Sequence, residues 1–295
     1  MKRIIKFCFC LFLVFILLIY LRNNYINNDK GLLAFIINSN EYSSAKKNNE
    51  IIERIFSILV KKDVLDPNNI LSSKRDVFYN AINSDDVFSL EIDDDPIIYL
   101  YSTHQTEEYK MLSNDLYNFV PTVMTASYIL EDLLEEKGFN VIVEQRSVKE
   151  GLNANGWDYS YSYRISKQYL LDAKNNYPTL KYFIDIHRDS VYDKSISTVN
   201  IDGKSYAKLM FLLGQNRDNY EENYNIVKLL ENDLNANYNG IMRNIYFQKD
   251  YTYNQEMYIN TFLVEVGTYH NTIDEVYNSM VAFADTLERY IMGGL

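Results

Sequence analysis

The sequence predicts an α/β domain with a mostly parallel central sheet flanked by helices, preceded by an N-terminal transmembrane helix and a partly helical spacer. Three observations predict this. Short apolar segments alternate with longer helical patterns from Pro96 onward, a polar region rich in Asn, Asp and Ser precedes them, and a long apolar run opens the chain. Strands that alternate with helices form mainly parallel sheets covered by those helices. A chain of 295 residues can hold one such domain of about 200 residues plus additional segments.

The first segment, residues 1–22, is predicted to be an uncleaved membrane anchor. Its apolar run from Ile4 to Leu21, interrupted only by Lys6, would span roughly 27 Å as a helix, close to the hydrocarbon thickness of a bilayer. No small-residue cleavage site follows the run. Basic residues at its N-terminal end favour a cytoplasmic N-terminus. We therefore expect a single-pass cell-membrane protein with an extracytoplasmic domain; the alternative for this segment is a buried core helix.

Composition limits the chemistry of the domain outside the anchor. Both cysteines, Cys8 and Cys10, lie within the anchor, so the domain has no disulfide and no thiolate ligand. A metal there would be held by carboxylates and by the three histidines, His104, His187 and His270. Four of the 29 lysines and arginines lie in the anchor, which leaves 25 basic against 40 acidic residues, a net charge of −15. Such a surface repels phosphate backbones, so no nucleic-acid partner is expected.

Breaks in the sequence pattern place the domain boundaries. Residues 23–95 form the spacer, in which the amphipathic stretch Glu50–Lys62 predicts a helix through Ile51, Ile52, Ile55, Phe56 and Leu59. Pro96 disfavours helix before it, so the catalytic domain is placed at 96–295. Its predicted strands are Ile97–Tyr101, Asn140–Glu144, Tyr182–Ile186, Lys208–Leu213 and Thr261–Val266. Its predicted helices are Pro121–Lys137, Tyr163–Asn175, Tyr220–Asn237 and a last helix that opens with a Thr272 to Glu275 capping box and ends near Ile291.

Polar residues follow three of these strands. His104 comes three residues after the first strand, His187 directly follows the third, and Glu265 lies at the end of the fifth. Open α/β sheets bind ligands beyond the carboxyl ends of their strands, so these residues should converge. Glu107 lies one turn from His104, and a catalytic zinc site takes three such ligands and leaves a fourth position for water. We predict a zinc site of His104, Glu107 and His187 with Glu265 as general base; Glu108 remains an alternative ligand.

Five further residues are predicted to support the metal or to bind substrate: Asp185, Arg188, Arg243, Asn254 and Gln255. Asp185 shares a strand face with His187 and could orient its imidazole, whereas the alternative is an ion pair of Arg188 with Asp185 or Asp189. Arg243 and the segment that contains Asn254 and Gln255 could bind a substrate carboxylate or amide; the alternative is a solvated loop. His270 has no carboxylate at ligand spacing, so a structural or exposed role is expected.

At these residues the chain resembles the stage II sporulation protein P family of peptidoglycan hydrolases. The resemblance runs from about Pro96 to the C-terminus and includes the anchor. The matching segments are Tyr99–Glu107, Tyr182–Ser190, Tyr253–Gln255, Phe262–Gly267 and Asn271–Thr272. Residues 185–189, D-I-H-R-D, form a distinctive string within them. One departure is Ser102, where the family usually has a second histidine; we expect loss of a local hydrogen bond there and not loss of the metal.

The resemblance implies a zinc amidase with a phosphorylase/hydrolase-like fold that cleaves between N-acetylmuramic acid and L-alanine, and in some members an endopeptidase activity on cross-links. It further implies septal peptidoglycan removal during spore engulfment, alongside a glycan-cleaving lytic transglycosylase and a membrane protein of the same stage. The metal positions of the family fall on His104, Glu107 and His187, and its base falls on Glu265.

Two other functions fit parts of the pattern. A metallocarboxypeptidase also combines H-x-x-E with a distant His and a late Glu, but only Arg243 here resembles a residue that binds a terminal carboxylate. A catalytically inactive wall-binding scaffold would lack a ligand or the base, and the sequence lacks neither.

Overall fold

The computed structural model describes residues 51, 52, 54, 55, 57–59, 62, 95–113 and 118–295. In chain order its strands are β1 (Ile98–Tyr101), β2 (Leu112–Ser113), β3 (Asn118–Phe119), β4 (Val141–Val143), β5 (Tyr182–Asp189), β6 (Thr198–Ile201), β7 (Lys204–Ala207), β8 (Leu209–Gly214), β9 (Tyr246–Gln248) and β10 (Thr261–Thr268). Six of them form one sheet in the order β4-β1-β5-β10-β8-β9. All pairings in this sheet are parallel except β8 with β10, which confirms a mostly parallel sheet.

The helices cover both faces of this sheet. They are α1 (Val123–Glu136), α2 (Val148–Asn155), α3 (Ser162–Asn176), α4 (Lys194–Ser197), α5 (Tyr220–Asn237) and α6 (Ile273–Ile291), with a 3₁₀ turn at Tyr159–Tyr161. α1, α3, α5 and α6 are the four predicted helices. The predicted capping box of the last helix is present, because the Thr272 side chain accepts from the backbone of Glu275 and the Glu275 side chain accepts from the backbone of Thr272.

Side chains of β5 alternate between the two faces of the sheet. Ile184 and Ile186 of β5 pack in the large core that contains residues of α1 and α6. Phe183 lies on the opposite face, in a smaller core with Leu170 and Ala173 of α3. Side chains two apart on a strand share a face, so Asp185 and His187 project toward α3 together with Phe183.

The predicted amphipathic stretch is helical at its described residues between 51 and 59. Ile52, Ile55, Ile58 and Leu59 are buried in the same core as α1 and α6. The core therefore extends N-terminal to Pro96, although that domain boundary itself stays a prediction. Phe56, most of the spacer and the anchor at 1–22 lie outside the described residues. Among the residues that are described, no helix combines the length and apolarity needed to cross a bilayer.

Short elements account for what the sequence analysis missed. The hairpins β2–β3 and β6–β7, the edge strand β9 and the helices α2 and α4 were not predicted. The β6–β7 hairpin turns at Asp202 and Gly203, both with positive φ of 50° and 77°. Asp-Gly is a typical two-residue hairpin signal, because both central residues of such a turn take left-handed backbone angles. Short strands that bury little apolar surface lack the longer periodicity on which the other predictions depend.

Candidate metal centre

The loop after β1 is fixed at both ends, and it carries His104 and Glu107. At its start, the backbone N–H of Thr103 donates to Asp185 Oδ1 of β5 at 2.9 Å. The loop then turns on itself through a 3.0 Å bond from the Glu107 N–H to the His104 carbonyl. The Val123 N–H at the start of α1 donates to the Glu107 carbonyl at 3.0 Å. Contacts with β5 and α1 thus set the position of both side chains.

The three predicted ligands lie together at the carboxyl edge of the sheet. Glu107 bridges the two imidazoles, with Oε1 3.5 Å from His104 Nδ1 and Oε2 3.5 Å from His187 Nδ1. One donor atom from each residue lies within 4.8 Å of the other two. Glu108 instead is exposed, and its carbonyl accepts from Arg188 Nε at 3.0 Å. The geometry therefore favours Glu107 over Glu108 as the carboxylate ligand.

Electrostatics at this point favour a positive charge. Burial alone would raise the pKa of Glu107, but hydrogen bonds from His104 and His187, helped by the Arg188 N–H at 2.9 Å, lower it to about 2. Burial would lower the pKa of His187, but the carboxylates of Asp185 and Glu107 raise it well above its ordinary value. An ionised carboxylate and a proton-retaining imidazole indicate a place where a cation is stabilised.

Asp185 lies behind His187, as expected for a residue that orients an imidazole. His187 Nε2 is 3.0 Å from Asp185 Oδ1, although the two groups are not aligned as a hydrogen bond. Asp185 is held in turn by the Thr103 backbone N–H and by the Thr103 hydroxyl, which donates to Oδ2 at 2.7 Å. Within the described residues Arg188 forms no ion pair with Asp185 or Asp189, so that alternative is wrong.

Glu265 lies beside the metal-binding group on the neighbouring strand. In the parallel pairing of β10 with β5 its register partner is His187, so both side chains project from the same face. Its Oε2 is buried and has no hydrogen-bond partner among the described residues. Burial raises the pKa of Glu265 to about 7; nearby His187 lowers it, whereas Glu107, Asp189 and Asp185 raise it. A carboxylate with a pKa near neutrality suits proton transfer.

These residues fit a zinc ion. Two imidazoles and one carboxylate are a common ligand set of catalytic zinc sites, with a carboxylate behind one imidazole. The buried, unpartnered Oε2 of Glu265 offers a hydrogen-bond acceptor beside them. His104, Glu107 and His187 would hold the ion.

Two tyrosines that the sequence analysis did not assign to the site line the metal-binding group. The ring of Tyr159 stacks on His104 with centroids 4.8 Å apart, and Tyr163 stacks on His187 at 6.3 Å. Tyr163 also contacts His104 edge to face at 5.6 Å. The available signal was the run of residues 157–163, W-D-Y-S-Y-S-Y, with aromatic rings at every second position.

Asn254 and Gln255 are engaged by the protein itself. Asn254 Nδ2 donates to the Tyr163 carbonyl at 3.2 Å, which ties the segment to the start of α3. Gln255 Nε2 donates to the Leu212 carbonyl at 2.8 Å and its Oε1 accepts from the Gly214 N–H at 3.0 Å, both on β8. The geometry therefore assigns both amides to holding this segment in place beside the site.

Arg243 and His270 lie outside the metal-binding group. Arg243 is ion-paired with Asp189 at the end of β5, so its charge is already neutralised. The ring of His270 packs against Tyr269, with centroids 3.8 Å apart, and against Tyr192 at 5.1 Å. The structural role expected for His270 agrees with this packing.

A protein-family model matches most of this chain. A family model described as Stage II sporulation protein P (SpoIIP) matches residues 23–288. The chain belongs to this family. A curated family member, the Stage II sporulation protein P of Bacillus subtilis (strain 168), is 31% identical over 202 residues, which cover 65% of this chain and 50% of that protein. The chain thus matches about half the length of this curated relative.

Three solved structures are similar to this SpoIIP chain at low identity. The CwlD amidase from Clostridioides difficile, in complex with the GerS lipoprotein, is 15% identical with a TM-score of 0.44 and covers 67% of this chain and 99% of its own. The N-acetylmuramoyl-L-alanine amidase AmiC2 of Nostoc punctiforme is 14% identical with a TM-score of 0.38, over 66% and 97% of the two chains. The apo form of the amidase Ami1 from Mycobacterium abscessus is 12% identical with a TM-score of 0.38, over 68% and 98%.

Proposed function

We propose that this chain is a zinc-dependent N-acetylmuramoyl-L-alanine amidase that cleaves bacterial peptidoglycan. The observation that carries the proposal is the convergence of His104, Glu107 and His187, with donor atoms within 4.8 Å of one another, beside the partnerless buried carboxylate oxygen of Glu265. This arrangement combines a Lewis-acid site with a general base. Metal-assisted hydrolysis of an unactivated amide uses both.

Each residue has a distinct part in the proposed hydrolysis. A bound zinc ion would act as a Lewis acid on the scissile carbonyl and the attacking water. Glu265 accepts the proton of the water and passes it to the leaving nitrogen, for which a pKa near neutrality is suited. Asp185 lies 3.0 Å from His187 Nε2 and would orient that ring, and the Arg188 N–H donates to Glu107. These contacts fix the site before substrate arrives.

The biological setting follows from the family. We propose that the domain removes septal peptidoglycan during engulfment, held to the cell membrane by residues 1–22 with the catalytic domain outside. A lytic transglycosylase that cuts the glycan and a membrane protein of the engulfment machinery are the partners proposed. Endopeptidase activity on cross-links is a further proposed activity of the same site, because it is also amide hydrolysis.

The metallocarboxypeptidase alternative is weakened by one contact. That activity needs a free cation to bind the terminal carboxylate of a peptide, and Arg243 was the residue considered for it. Arg243 is paired with Asp189. An inactive scaffold is also disfavoured, because every predicted ligand and the base lie at the site.

The proposal is tested by incubating the full chain, solubilised in detergent, with purified peptidoglycan, with and without a chelator. We expect intact stem peptides with a free L-alanine amino terminus, formed only when zinc is present. Products in which muramic acid stays joined to peptide, with no free stem peptides, would contradict the amidase assignment and favour peptidase chemistry. Release of single C-terminal amino acids would favour the carboxypeptidase.

A further inference from the structure

An exposed aromatic ring is stacked directly on one of the metal-site histidines. Tyr159 begins the 3₁₀ turn before α3, and its ring lies 24° from parallel to His104 at 4.8 Å. The residue is nevertheless 59% exposed. The turn is held in shape by Asp158, whose side chain accepts from the Ser160 N–H at 2.8 Å. Tyr159 therefore lies at the solvent side of the metal-binding group in a fixed position.

The same turn carries a second pair of rings. Trp157 and Tyr161 lie with centroids 5.5 Å apart, and Tyr161 is 43% exposed. The guanidinium carbon of Arg164 lies 4.4 Å from the centroid of the Trp157 ring, which restrains that ring. This short segment of the chain thus presents two exposed rings, Tyr159 and Tyr161, beside Trp157, which is half-buried against a small core that contains Leu152 and Ile165. Exposed apolar clusters of this kind mark binding surfaces.

The chemistry of this segment suits a neutral, ring-shaped ligand. Flat aromatic faces with a polar hydroxyl stack against the C–H faces of sugars while the hydroxyl group stays in water. The surrounding domain is strongly acidic, so a polyanion is disfavoured. The bond proposed for cleavage joins the lactyl group of a sugar to a peptide, so a sugar must lie within a few ångströms of the metal-binding group, where Tyr159 is.

We propose that the segment of residues 157–161 is a glycan-binding platform, on which Tyr159 stacks against the sugar beside the scissile amide and the Trp157–Tyr161 pair contacts the neighbouring part of the strand. This inference rests on the proposed function for the choice of ligand. In this proposal the sugar part of the substrate is recognised by residues that neither bind the metal nor transfer protons.

The test uses the full chain carrying Glu265→Gln, which binds without turnover, and neutral glycan strands of N-acetylglucosamine, which present the same sugar faces without a lactyl carboxylate. Tyr159→Ala and Tyr161→Ala are each expected to weaken binding of these strands by about tenfold, with little effect on binding of free stem peptides. Tyr177→Ala is the matched control, because Tyr177 is also 43% exposed but lies at the far end of α3. It should bind the strands as the parent does.

The zinc content of each variant shows whether a loss of glycan affinity comes from the missing ring itself or from a disturbed His104. The ring of Tyr161 packs against Trp157, whereas the ring contacts of His104 are with Tyr159, Tyr163 and His187. The Tyr161 variant must therefore keep the zinc content of the parent and still lose glycan affinity. Unchanged glycan affinity in the Tyr161 and Tyr159 variants, or a loss confined to stem peptides, would overturn the platform. Because the assay needs no turnover, glycan binding can persist in a protein that lacks amidase activity, and the two proposals fail separately.

Discussion

Two regions of the molecule bury a glutamate, and they treat its charge in opposite ways. On the helical side, Glu131 of α1 is paired with Lys62 from the N-terminal segment at 2.7 Å. At the carboxyl edge of the sheet, Glu265 has a buried oxygen with no partner among the described residues. Burial raises the pKa of each to about 7. Glu131 Oε2 is likewise buried without a hydrogen-bond partner, so the difference lies in the pairing of the charge. Lys62 neutralises Glu131, whereas no lysine or arginine is paired with Glu265 among the described residues.

The charged groups around the two glutamates also differ in how they are paired. Near Glu131, Arg54 bonds Asp132 at 2.8 Å and Glu136 at 2.6 Å, so acids and cations balance within the protein. Around Glu265 the carboxylate of Glu107 is shared by two histidines and no lysine or arginine side chain is paired with it among the described residues. The positive charge beside Glu107 is therefore a proton held on His187, which a bound metal ion would displace.

The largest expected effect is that of Glu265→Gln. Loss of the general base should lower the rate of stem-peptide release by about 10²- to 10⁴-fold. Thermal unfolding should show no loss of stability, because the variant no longer buries an ionisable group. Rates and unfolding temperatures measured on the same preparation check this. A rate within tenfold of the parent would show that Glu265 is not the base.

Asp185→Asn should weaken metal binding by about 10- to 100-fold, since the amide cannot stabilise the His187 ring as a carboxylate does. Competition with a chromogenic chelator measures the affinity. Asp189→Asn on the same strand is the control, because Asp189 pairs with Arg243 and not with His187. Equal affinities in the two variants would remove the role proposed for Asp185.

On the helical side, Lys62→Met should lower the free energy of unfolding at pH 8 by about 1–3 kcal/mol, because it leaves Glu131 buried without its cation. The loss is smaller than for a fully buried pair, since the Lys62 side chain is 25% exposed. Arg54→Met, whose partners are more exposed, should cost less than 1 kcal/mol. Denaturant unfolding compares them, and equal losses would contradict the contrast drawn between the two cations.

The last prediction concerns the pH dependence of stability. The pKa of Glu131 is raised in the folded state, so its neutral form stabilises the fold fully below its ordinary pKa of 4.5, and this contribution is lost as pH rises through about 7. Between pH 4.5 and 8, Glu131→Gln should therefore gain stability relative to the parent by about 2–3 kcal/mol. Unfolding at several pH values measures the difference, and a difference independent of pH would be inconsistent with a raised pKa.

Much of the fold could be predicted because it depends on long, periodic segments. α5 was predicted at both ends, and the five predicted strands all occur in the central sheet. The hairpin at Asp202 and Gly203 carried a turn signal that was not used, and β9 at Tyr246–Gln248 buries too little to show a pattern. The buried helix between residues 51 and 59 was predicted as a helix, but its place in the core depends on tertiary packing.

The site residues that lie at or just after the carboxyl ends of strands could be predicted from the sequence. His104, His187 and Glu265 could be found because the ends of parallel strands share one edge. Tyr159 and Tyr163 were missed, because the chain has 27 tyrosines and only the alternating run of residues 157–163 distinguishes these two. Gln255 resembled a substrate-binding amide, but β8 uses both ends of its side chain, which only the packed structure reveals.

The central claim is that His104, Glu107 and His187 together hold one zinc ion. Metal analysis of the purified full chain tests it most directly, beside His187→Ala and, as a control, His270→Ala. We predict about one zinc per chain in the parent and in the His270 variant, and almost none in the His187 variant. Stoichiometric zinc retained by the His187 variant would contradict the account.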